Sequence, residues 1–193
     1  MANDPLEQVA ELAQQREVAL ASREILSVLN SDRPLSAILD YLAFSASRLL
    51  DANAVTVHFL NAETQLLTVQ SSRGLRDETL AHSTSVLGQA AAGQAVEEGR
   101  PVVISDVNAH RKMMPPLRRP EAAWWDTLSK HYQAVLAVPM TNAQEIVGAL
   151  TVYYIQPRIF EQDEVSKAIA FCDQAALAIE NARLREKSRE DAV

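Results

Sequence analysis

A hairpin that runs into a long, apolar-striped helix constrains this chain more than any other feature. Ala134 to Met140 form a short apolar run, Thr141-Asn142-Ala143-Gln144 turn it, and Glu145 to Ile155 follow. In that second run Val147, Thr151, Val152, Tyr153, Tyr154 and Ile155 are the residue types that fit a pleated, packed surface. Two strands so close in sequence pair antiparallel. After Pro157 the period changes: Val165, Ile169, Cys172, Ala176 and Ile179 recur at three- and four-residue spacing and draw one stripe along a helix. Such a helix needs a surface to lean on, so it lies across the sheet.

The rest of the chain supplies the layers. Asp4-Pro5 reads as the start of a long helix running to about Asn30, with Asp4 as N-cap and Pro5 in the first turn. Its first turns carry only sparse apolar residues (Leu6, Val9, Leu12), so it leans on its own domain or on a second copy. Pro34 breaks it, and Leu35, Ile38, Leu39, Leu42, Ala46 and Leu49 mark the apolar face of a core helix. Val55, Val57 and Phe59 alternate with Thr56, His58 and Leu60 as a strand; Leu66 to Gln70 form its partner, and "SSRGLRDE" is read as a loop. A helix is expected from about Val86 to Glu98, ended by Gly99 at the left-handed C′ position, then a short edge strand from Pro101 to Ile104.

Between Asp106 and Gln133 the pattern predicts loop and short helix. His110 to Pro120 hold four formal positive charges and no negative one, in a chain whose formal net charge is −7. Long irregular connections inside compact domains are commonly functional lids. The alternative is a solvated basic loop with Trp124 and Trp125 packed as core.

The words "AVLAVPM", "EIVGALTVYY", "RIFEQDEV" and "AFCDQAALAIENARL", with "GQAAAGQAVEEGRPVVISDV" earlier, resemble a GAF domain from about Ile25 to Leu184. GAF domains are small sensory modules found in many signalling proteins. The resemblance implies an α/β (α+β) fold: a central antiparallel sheet of five to six strands with helices on both faces, the N- and C-terminal helices packed together on one of them. Residues 1–24 would be a signalling and dimerisation helix, 25–185 the GAF domain and 186–193 a helical tail or linker. It also implies a pocket under the Asp106 to Gln133 lid, lined by Trp124, Trp125, His131 and Tyr132, with Arg118 or Arg119 available to an anionic ligand.

Chemistry and composition narrow the function. Gly88 and Gly93 have phosphate-loop spacing, but Gln94-Ala95 stands where Lys and Ser or Thr are needed. His58, His82, His110 and His131 lack any HxxxH or HExxH spacing for a metal, and no GxSxG elbow appears. The single cysteine, Cys172, falls on the apolar stripe of the last helix. No cysteine stands in Ser129-Lys130-His131-Tyr132, where some GAF domains attach a bilin, so no covalent bilin is expected; with no evident haem ligand pair, haem is not expected either. One cysteine also argues against GAF-type methionine sulfoxide reductases, which need a second thiol to resolve the oxidised intermediate. An Asn-Lys pair of the cyclic-nucleotide group is missing.

The acidic balance argues against general nucleic-acid binding, no stretch reaches the roughly 20 apolar residues of a membrane span, and the start lacks the blocks of a signal peptide. The expectation is a cytoplasmic, non-catalytic sensor of an unknown small molecule, of the kind that serves two-component systems and other signalling proteins. It would relay through terminal helices in a homodimer, its output domain (histidine kinase, cyclase, phosphodiesterase or transcription activator) lying outside these residues. The alternative is a ligand-free dimerisation or protein-interaction module.

Overall fold

Six runs rich in β-branched residues pair into one antiparallel sheet: β1 (Ala54–Asn61), β2 (Leu66–Arg73), β3 (Thr84–Val86), β4 (Val102–Ile104), β5 (Ala134–Thr141) and β6 (Ile146–Tyr154), in the order β3-β2-β1-β6-β5-β4. The computed structural model describes residues 33–114, 117, 119–142 and 145–190, apart from the side chains of 119, 120 and 190. The helix expected from Asp4 to Asn30, the segment 1–24 and the final residues 191–193 lie outside the described residues.

Register gives the sheet two distinct faces. One carries Val55, Val57, Phe59, Leu136, Val138, Leu150 and Val152 and is covered by α1 (Leu35–Leu49) and α6 (Gln162–Glu190), which also pack on each other. Pro34 offers α1 no side-chain cap, and Glu186 of α6 replaces it by accepting a 2.9 Å hydrogen bond from the Leu35 N–H. A carboxylate at a helix N-terminus also suits the helix dipole. The second face lies under α3 (Ala90–Glu98), α4 (Val107–Met113) and α5 (Arg119–His131), with α2 (Glu78–Ala81) beside them.

Four local readings need correction. Val86 ends a strand paired with β2 instead of starting a helix, because Gly88 (φ 74°) and Ala90 (φ 51°), the residue at which α3 starts, take left-handed backbone angles that keep the helix from beginning earlier. Ser71 to Arg73 continue β2 past an irregularity opposite Val57/His58, so only the end of "SSRGLRDE" is loop, and α2 starts within it. The segment from Asp106 to Gln133 is mostly helix, as α4 and α5. On α6, Ile169, placed on the apolar stripe by its spacing, is exposed with Leu177 and Leu184, whereas Phe171, Ala175, Ala178 and Ala182 join Cys172, Ala176 and Ile179 in the chain's own core.

Gly99 ends α3 in the left-handed conformation (φ 64°), as its sequence position suggests. Gly148 on β6 has another role: a Cβ there would overlap the His58 carbonyl oxygen of β1. Among the described residues no helix is long and apolar enough to cross a membrane.

Candidate functional site

At the centre of the second face the two middle strands place polar residues where a sheet core is normally apolar. Thr56 and Thr151 are cross-strand partners, with His58 and Tyr153 one step along on the same face, and all four are buried. Thr56 Oγ1 lies 3.1 Å from the Tyr153 hydroxyl and 3.5 Å from His58 Nδ1. Burial lowers the His58 pKa to about 4, an effect the Ala149 backbone only partly offsets, so the imidazole is neutral at pH 7. Burial likewise raises Tyr153 to about 12. The network is therefore uncharged hydrogen-bonding surface.

The helices above that face position the aromatic residues singled out in the sequence, and they separate them. Trp125 and Tyr132 are fully buried in the packing between α5 and the sheet. Trp125 contacts His110 (ring centroids 5.5 Å) and Trp124 (5.1 Å, edge-on), while its Nε1 has no hydrogen-bond partner among the described residues. Tyr132 Oη accepts from the Arg76 N–H at 3.0 Å and donates to the Gly74 carbonyl at 3.3 Å, tying the β2–α2 connection to α5. His131 Nε2 stands 3.8 Å from Asp77 Oδ2, so it belongs to the same tie. Arg118 is outside the described residues, and of Arg119, the first residue of α5, the side chain is too. Trp124 is only partly buried and faces an opening.

That opening is a cavity of about 400 Å³ between α5 and β3. Its walls are Ser83 and the three residues of β3, Gln89 and Ala90 at the start of α3, and Glu121 and Trp124 one helical turn apart on α5. The volume falls in the range of small-molecule sites. Ser85 is the deepest polar group on the wall, at 6% exposure. Ala90 takes a left-handed conformation that costs a residue with a Cβ roughly 1–3 kcal/mol, and such strain gathers at ligand clamps.

A GAF domain family model matches residues 32–180. The chain belongs to the GAF domain family. No curated protein matches its sequence. Among solved structures it is similar to the GAF domain of an Acinetobacter phosphoenolpyruvate-protein phosphotransferase, at 20% identity over 95% of this chain and 97% of that one, with a TM-score of 0.69. It is also similar to a free methionine-R-sulfoxide reductase from Neisseria meningitidis, solved with its substrate (19% identity, 87% and 93% covered, TM-score 0.67). A third is a domain from Sinorhizobium meliloti assigned to a two-component sensor histidine kinase (14% identity, 82% and 99% covered, TM-score 0.63). At these identities the structures share the fold. GAF domains are in general regulatory, and the reductase shows that the fold also carries enzymes.

Within this GAF domain, the thiol of Cys172 is buried under α6 and burial drives its pKa far above the usual range, so it stays protonated and unreactive at neutral pH. Among the described residues no three His, Cys, Asp or Glu side chains come together to hold a metal ion. Sequence reasoning missed Ser85, Gln89 and Glu121. Only Glu121, one turn before Trp124, carried a readable signal: an (i, i+3) pair shares one helix side. The others depend on the Gly88 to Ala90 backbone and on a strand pairing without periodicity.

Proposed function

We propose that this GAF domain is a non-catalytic, small-molecule-sensing regulatory module of a cytoplasmic signal transduction protein, with the β3/α5 cavity as its ligand site. The observation that carries the reading is the cavity itself, walled by an aromatic residue, a carboxylate and a buried hydroxyl, and bounded by a segment whose two ends are tied to the root of α6. Val107 N–H donates to the Gln133 carbonyl and Gln133 N–H to the Tyr154 carbonyl, both at 2.7 Å, while Arg158 N–H donates to the Ser105 carbonyl at 3.0 Å. Arg158 also pairs with Glu164 on α6 at 2.9 Å and lies over the Tyr154 ring, 4.2 Å from its centroid. A ligand that shifts α5 thereby acts on the first turn of α6, the helix that leads towards an output domain such as a histidine kinase, cyclase, phosphodiesterase or transcription activator.

The relay would run through a homodimer. Leu177 (48% exposed) and Leu184 (59%) stand one heptad apart on α6, two exposed leucines at coiled-coil spacing, while Ile169 (37%), eight residues before Leu177, lies to one side of that line. The sparse apolar residues Leu6, Val9 and Leu12 supply further surface for a bundle made from both ends of two chains.

Native mass spectrometry of gently purified protein, with a thermal-shift screen of metabolites, tests the sensing function. A co-purifying small molecule or a saturable rise in Tm is expected. No mass excess and no shift would leave the ligand-free dimerisation module as the better reading. Light scattering tests the relay: a dimer that becomes a monomer in Leu177→Glu/Leu184→Glu is expected, and a wild-type monomer of 21.2 kDa contradicts it.

A further inference from the structure

We propose that the β3/α5 cavity takes a small organic cation, an amine or quaternary ammonium on an apolar body; this rests on the cavity being the ligand site and adds the chemistry of its ligand. Glu121 is the one charged side chain on the described wall, and it makes no ion pair among the described residues. Trp124 stands one turn further along the same helix and presents its indole to the same space. A carboxylate beside an aromatic face is the pairing that recognises ammonium groups, since charge and ring quadrupole attract the same cation. Val86 and Ala90 give the rest of the wall an apolar character that suits the ligand's body.

The start of α3 acts in the opposite sense. Its N-cap, Gln89, makes no side-chain cap, and a helix N-terminus carries roughly half a positive charge. The full negative charge of Glu121 outweighs it, so the wall formed by the described residues favours a cation. The hydroxyl of Ser85 lies on the same wall, on a residue 6% exposed, and makes no hydrogen bond among the described residues, which leaves it open to a ligand. A primary ammonium can donate to it, whereas a quaternary one cannot.

The test is calorimetric titration of the full chain with benzyltrimethylammonium, benzylamine, benzoate and benzyl alcohol, which share a ring and differ in charge. The two cations should bind more tightly than benzyl alcohol, and benzoate most weakly. Glu121→Gln should weaken both cations about tenfold while leaving benzyl alcohol unchanged. Ser85→Ala should weaken benzylamine more than benzyltrimethylammonium. Equal or tighter binding of benzoate, or cation affinity unmoved in a Glu121→Gln protein of unchanged Tm, overturns the cation while leaving the cavity a ligand site. Binding of none of the four probes overturns the cation too, and the ligand reading then stands or falls on its own metabolite screen.

Discussion

Lowering the pH should destabilise this protein through His58, whose burial disfavours the charged imidazole. The imidazole is buried on the second face of the sheet, and desolvation lowers its pKa from 6.5 to about 4. A group whose folded pKa is depressed binds its proton first in the unfolded state, so stability is full above the unfolded value and falls as pH drops towards the folded one. With about 1.4 kcal/mol per pKa unit, the loss is about 2 kcal/mol between pH 7 and 5, and about 3 kcal/mol by pH 4. Carboxylates with lowered pKa, such as Asp77 held by the Thr79 side chain and backbone, act in the same direction, so the His58 share has to be isolated. Urea unfolding of wild type and His58→Asn at pH 7 and pH 5 does so. The asparagine keeps an amide near Thr56 and does not titrate. The variant should be less stable at pH 7 and lose about 2 kcal/mol less than wild type on acidification. Equal losses in both proteins would refute the argument that this imidazole is buried neutral.

The two adjacent tryptophans should respond differently to the same change. Trp125→Ala removes a fully buried ring and should cost about 3–5 kcal/mol in urea unfolding, whereas Trp124→Ala, half-buried at the cavity, should cost far less; equal costs would contradict the assigned burial. Cys172 should react with a thiol reagent only at the rate of unfolding, and fast labelling of native protein would contradict its burial beneath α6.

The parts of the fold that were legible in the sequence are those where one periodicity dominates. The β5–β6 hairpin and the stripe on α6 needed only alternation and three-to-four spacing, and α1 likewise. β3 was not legible: Thr84-Ser85-Val86 is short and mostly polar, and only its pairing with β2 makes it a strand. The start of α3 depends on Ala90 adopting a positive φ, which no propensity favours. In the lid, Pro115, Pro116 and Pro120 favour a loop in the sequence, yet Pro120 falls in the first turn of α5, where its missing N–H costs nothing. Trp125, Leu128 and Tyr132 were visible as a helical stripe once that was allowed. On β1, the alternation of Val55, Val57 and Phe59 with Thr56 and His58 was visible, but whether the polar side met water or other helices was a tertiary question. The structure buries it. Of the site, the sequence showed Trp124, while the cavity opposite it exists only because β3 and α3 come together there.

Amide chemical-shift mapping shows whether the cavity between β3 and α5 is where a ligand binds. Isotope-labelled protein would be titrated with each compound that raises Tm in the metabolite screen. Saturable shifts are expected at Ser83 to Ala90 and Glu121 to Trp124, with a weaker set at Tyr154 to Glu164 where the lid meets α6. Shifts confined to other surfaces, or no compound that binds, would contradict a ligand site in that cavity.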